Sequence, residues 1–95
     1  MATTGTATLD FGASPGTTHA TVSVSSATIT SSSLVEAWIF PVATADHSAD
    51  EHILENFQVF ARDVVDGVGF TIHGVEGPGN AGKIWGRWTI GWVHT

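Results

Sequence analysis

"KIWGRWTIGWV", Lys83 to Val93, decides how the rest of the chain is read. Ile84, Gly86, Trp88, Ile90 and Trp92 share one parity, and Trp85, Arg87, Thr89, Gly91 and Val93 share the other. A period of two marks a β-strand with one face on a core, because successive side chains point to opposite sides of the pleat. Trp88, Ile90 and Trp92 are therefore predicted to be buried. Gly86 and Gly91 fall beside large aromatics, which suits close packing or a bend.

The same period recurs outward from this strand. "TATLDF" puts Ala7, Leu9 and Phe11 on one face, and "GASPG" follows as turn chemistry. "THATVSVS" alternates Ala20, Val22 and Val24 against Thr21, Ser23 and Ser25, and "GFTIHGV" alternates Phe70, Ile72 and Gly74 against Thr71, His73 and Val75. Phe11, Val22, Val24 and Ile72 join the expected core. "SATITSSS" reads as a short strand or a loop. "LVEAWIFP" is apolar on both faces, with Val35, Ala37 and Ile39 opposite Leu34, Trp38 and Phe40, so it is expected to be central or covered on two sides until Pro41 ends it. Ile53 to Ala61 reads as a strand. At most one helical turn precedes it, started by a capping box of Ser48 and Glu51. Asp66-Gly67 marks a turn, and "EGPGNAG" (Glu76 to Gly82) a hairpin loop. Six strands at short spacing predict an all-β fold, a six-stranded antiparallel β-sandwich, as a single domain over 1–95.

Composition narrows the function. The net charge is -6 with three basic residues, Arg62, Lys83 and Arg87, so the basic footprint that nucleic acid or an anionic membrane demands is missing. No apolar run reaches the roughly 18 residues of a spanning helix, and the first ten residues do not read as a signal peptide. Cysteine is absent, which excludes disulfides and thiolate metal sites. Charged residues make up 13%, against roughly 25% in ordinary domains, while hydrophobic residues reach 42%. A small chain of this kind is expected to hide surface against partners, itself included.

One stretch invites a chemical reading. "TADHSADEH" (Thr44 to His52) gathers Asp46, His47, Asp50, Glu51 and His52. They are candidate ligand or ion-binding residues, but His47 and His52 lack the three- or four-residue spacing that aligns ligands on a helix, and no glycine supplies a calcium-loop turn. The segment is expected to be an exposed or interfacial connection with no catalytic role, its acids and histidines pairing with each other or with a neighbouring subunit. No catalytic constellation, cofactor or metal is assigned, and the chain reads as a non-enzyme. His19, His73 and His94 stand alone in sequence and read as structural groups. Trp85, Arg87, Trp38 and Phe40 are the interface candidates, since Trp and Arg are enriched where subunits meet.

"LDFGASPGTTHATVSV", "VEAWIF", "GFTIHGV" and the closing Trp-rich strand resemble the order of elements in H-type lectin-like domains, with the matching motifs at Phe11 to Pro15, Gly69 to Ile72 and Trp92-Val93. That resemblance implies a six-stranded sandwich assembled as a homotrimer. Between Ile72 and Ile84 the chain carries "GVEGPGNAGK" in place of the lectins' polar, tryptophan-containing segment, so no sugar site carries over. The chain is also similar, in "VEAW", "DH", "GFTI" and the last strand, to small proteins encoded beside tailed-phage structural genes. This likeness implies a virion component, made in the host cytoplasm, that contacts capsid or tail proteins as a capsid decoration, neck or tail-fibre module. A glycan-binding module of a receptor-binding fibre is the second reading.

Overall fold

The computed structural model describes residues 2–55, 57–76 and 83–95. Its elements are β1 (Thr3–Asp10), β2 (His19–Ser25), β3 (Val35–Ile39), α1 (Ala49–Leu54), β4 (Phe57–Val65), β5 (Gly69–Glu76) and β6 (Arg87–His94). They form two three-stranded antiparallel sheets, ordered β1-β6-β3 and β2-β5-β4. β1 packs over β2 and β3 over β4, so the sheets lie face to face as an antiparallel β-sandwich. The hairpin loop expected over 76–82 lies, beyond Glu76, outside the described residues.

Alternation decides which side of each strand is dry. Trp88, Ile90 and Trp92 of β6 meet Leu9, Ala7 and Gly5 of β1 in register, all on the inner face. From the opposite sheet come Ala20, Phe57, Phe70 and Ile72, with Phe11 closing the end of β1. Gly74 faces the core too. A Cβ there would collide with the Leu9 side chain and come within 2.9 Å of Phe11 Cζ, so the absence of a side chain on β5 makes room for the most buried residues of β1. Val22 and Val24 pack against this core but are only half-buried, because β2 is an edge strand.

Two expectations are corrected. Ile53 to Ala61 is not one strand: α1 takes Ile53 and Leu54, and β4 starts at Phe57 and runs on to Val65. The capping box supplies the reason. Ser48 Oγ accepts the Glu51 N–H while Glu51 Oε1 accepts the Ser48 N–H, satisfying two orphan donors and letting the turn grow into a helix. β3 is neither central nor covered on two sides. It is an edge strand, and Trp38 on its outer face is exposed, as are Leu34 and Phe40 just beyond its two ends. Of the two readings open for "SATITSSS", the loop is the one found, yet Ile29 within it is fully buried, a core contribution that no strand period could reveal.

Trp88 sits where both sheets and α1 meet. Its ring is 5.4 Å from Phe57 and 5.0 Å from His52, both edge-on. Trp88→Ala is expected to cost about 3–5 kcal/mol, as large core truncations do. Against a total stability of about 5–15 kcal/mol that is a large fraction. Urea unfolding followed by circular dichroism checks it, and a loss under about 1 kcal/mol would contradict this packing.

Candidate functional site

The polar stretch from Thr44 to His52 is built into the sandwich. β3 ends at Ile39, and Phe40 donates a last backbone bond to the Thr89 carbonyl. Beyond that point β6 continues without a strand on this side. Its peptide groups still need partners, since an unpaired buried N–H or C=O is costly. Side chains of the polar stretch provide them. Thr44 Oγ1 donates to the Arg87 carbonyl at 2.7 Å, Asp46 Oδ2 accepts the Arg87 N–H at 2.8 Å, and His52 Nε2 accepts the Thr89 N–H at 3.0 Å. The other His52 nitrogen, Nδ1, donates to the Ser48 carbonyl at 2.7 Å, which fixes the tautomer.

His47 does the packing. Its ring stacks on Trp88 at 3.7 Å and 15° and lies 4.5 Å from Trp85. Nδ1 faces Glu51 Oε2 at 2.9 Å and Nε2 faces the Trp85 carbonyl at 2.7 Å. Both partners are acceptors, so whichever ring nitrogen carries a hydrogen has a partner in place. The same Trp85 carbonyl accepts the Trp88 indole N–H at 3.1 Å. Gly86 makes this approach available: its φ is +79°, and a Cβ would stand 2.8 Å from His47 Nε2 and 2.9 Å from Asp46 Cβ. The expectation of an exposed or interfacial connection is therefore corrected for its histidines. His47 and His52 are 4% and 2% exposed, buried because they complete β6 and cover Trp88. The pairing of His47 with Glu51 is as expected.

As a metal site this segment is poorly placed, because all four ring nitrogens of His47 and His52 already have protein partners. Asp46 is engaged by Arg87, whose Nε donates to Oδ2 at 3.0 Å. Asp50 is exposed in the first turn of α1, where a carboxylate complements the helix dipole.

The interface candidates fall in two places. Arg87, Trp38 and Phe40 share the outer face of sheet β1-β6-β3. Trp38 lies across Gly91, where a Cβ would come within 2.6 Å of its Nε1. Trp38, Phe40 and Gly91 line a shallow concavity of about 240 Å³ with Thr4 and Thr6 at its rim. Trp38 is 42% exposed and Phe40 39%. Trp85, also part-exposed, is at the end of the sandwich, where it lines a second concavity with Asp46, Gly86 and Arg87, so Arg87 belongs to both places. Sequence reading missed Thr4, Thr6 and Gly91 as companions of Trp38, because only the register of β1 and β3 on β6 brings them together. Compared with protein-family models, curated proteins and solved structures, the chain finds no match in any of the three.

Two carboxyls in the segment are held below their ordinary range. For Asp46 the main cause is the Arg87 side chain, followed by the Arg87 backbone N–H; for Glu51 it is the His47 ring, followed by the Ser48 N–H. A carboxyl depressed in the folded state contributes stability that is fully present above its unfolded value, about pH 4, and is lost as pH falls through the folded value. The melting temperature is expected to fall in that acid window, and Asp46→Asn to flatten part of the fall while lowering stability at pH 7. Thermal melts from pH 7 to pH 3 check both, and an unchanged acid limb in the variant would contradict the role of Asp46.

Proposed function

We propose that the chain is a structural, non-enzymatic protein that acts through its surfaces, assembling as a homotrimer and seating on the capsid or tail proteins of a tailed-phage virion. The observation that supports assembly is the uncovered aromatic strip on the edge strand β3. Trp38 and Phe40 stand exposed there, with Leu34 and Val42 beyond its two ends at 75% and 47% exposure. Apolar surface left in water costs about 25 cal/mol per Å². A second copy, laid against a strip that has few charges to desolvate, recovers that cost. The trimeric state and the virion setting are supported by the resemblances carried by "VEAWIF", "GFTIHGV" and the last strand. The non-enzymatic reading is supported by the polar stretch itself, where groups suited to catalysis are spent on β6 and Trp88.

A second reading has its own observation. An indole lying across a glycine, with two threonines lining the same concavity, offers the stacking and hydrogen bonding that a sugar ring uses. On this reading the chain is a glycan-binding module of a receptor-binding fibre.

Light scattering at micromolar concentration is expected to give a trimer, and Trp38→Ala to weaken assembly by roughly 2 kcal/mol or more, as a buried aromatic anchor does. A monodisperse monomer in the unsubstituted chain overturns the assembly reading. Glycan-array binding that disappears in Trp38→Ala transfers the face to the second reading. Mass spectrometry of purified particles tests the virion setting, with absence of the chain counting against it.

A further inference from the structure

We propose that His19 and His73 form a two-imidazole site for a divalent late transition-metal ion of the zinc or nickel class, with Asp63 as the carboxylate that orients His73. The site is on the outer face of sheet β2-β5-β4, on the opposite sheet from the aromatic strip of β3, and it does not depend on the function proposed above.

Register brings the two rings together. His19 pairs with Val75 and His73 with Thr21, so the histidines are diagonal neighbours on adjacent strands and share the solvent side of the pleat. His19 Nε2 stands 3.3 Å from His73 Nδ1. Two nitrogens bound to one tetrahedral ion at about 2.0–2.1 Å are separated by about 3.3–3.4 Å. The spacing of the pair is thus that of a chelate. They read as isolated structural histidines in the sequence because 54 positions separate them.

The tautomer of His73 is set for ligation by Asp63. Its Oδ2 accepts from His73 Nε2 at 2.9 Å, so in the neutral ring the hydrogen is on Nε2 and the Nδ1 lone pair faces His19. A carboxylate behind a ligating imidazole is the usual outer-shell partner in metal sites. Asp63 reaches this position through backbone strain. Its φ is +61°, and it lies within the register shift between Arg62 and Val65 that breaks the pairing of β4 with β5. Such bulges re-aim side chains and recur beside functional sites. Arg62 Nε, 3.2 Å from Asp63 Oδ1, engages the other oxygen and leaves Oδ2 to His73.

As the pair stands, with His73 Nε2–H on Asp63, His19 Nε2–H donates to His73 Nδ1. Ion binding needs a lone pair on both nitrogens, so His19 takes its other tautomer, its hydrogen moving to its Nδ1, with no net change in protonation. Among the described residues no three His, Cys, Asp or Glu side chains converge on one point, so the chain supplies two ligands. The site opens into a concavity of about 460 Å³ that includes Phe60 and Arg62, which leaves the other coordination positions to water or to an incoming donor group.

The test is isothermal titration of the full chain, carrying no histidine tag, with zinc chloride and separately with nickel chloride, alongside His19→Gln, His73→Gln and Asp63→Asn. One ion per chain is expected. Affinity should fall at least tenfold in either histidine variant, and about 10–100-fold in Asp63→Asn, as for outer-shell partners. Circular dichroism confirms that each variant is folded. In the unsubstituted chain, zinc should shift the ring ¹⁵N resonances of His19 Nε2 and His73 Nδ1, a readout that needs no variant. No binding at millimolar ion overturns the proposal. So does binding of equal strength in both histidine variants, or ¹⁵N shifts confined to other histidines.

Discussion

β6 is the central strand of its sheet, and its first residues, Arg87 to Thr89, lie beyond the end of β3 on one side. β3 stops at Ile39, while β6 runs from Arg87 to His94. Peptide groups next to a core cannot be left unpaired at a cost of about 1–3 kcal/mol each. The chain meets this constraint with side chains. Thr44, Asp46 and His52 stand where a neighbouring strand's backbone would stand, and the rest of that end of the sandwich follows. Once these residues are docked, His47 is carried onto Trp88, Glu51 is carried onto His47, and the capping box starts α1 at the right place.

The clustering of acids and histidines in one stretch is thereby explained without a ligand. A mimic of strand pairing needs acceptors for N–H groups and a donor for a carbonyl, at irregular spacing along the chain. Asp, His and Thr supply those atoms on short side chains, and apolar residues cannot. The packing role needs a flat ring with polar edges, which His47 provides between Trp85, Trp88 and Glu51. Polar residues in a small β-protein are as much a part of its framework here as its leucines and tryptophans.

The two outer sheet faces differ in chemistry. That of β1-β6-β3 carries an indole on glycine beside a phenylalanine and threonines. That of β2-β5-β4 carries the imidazole pair with its carboxylate. Both belong to edge-to-centre strand pairs, where exposed side chains are placed by backbone register and can be held without burial.

The sequence by itself determined β1, β2, β5 and β6 and their dry faces. Trp88, Ile90 and Trp92, with Leu9 and Ile72, are legible because a core face imposes a period of two on every strand that meets it, and that period is local. The capping box of Ser48 and Glu51 is local in the same way. Where α1 would yield to β4 was not legible, because Ile53 and Leu54 fit either a helix face or a strand and their exposure follows from what α1 packs against. The tertiary structure alone decided sheet order, and with it that β3 is an edge and Trp38 uncovered. It alone buried His47 and His52, since their partners Trp85 and Thr89 lie 38 and 37 positions away. The same holds for His19, His73 and Asp63, which meet only through strand register and one bulge. Periodicity reports what each strand faces; which residues become neighbours depends on pairings between distant segments, and no local pattern encodes them.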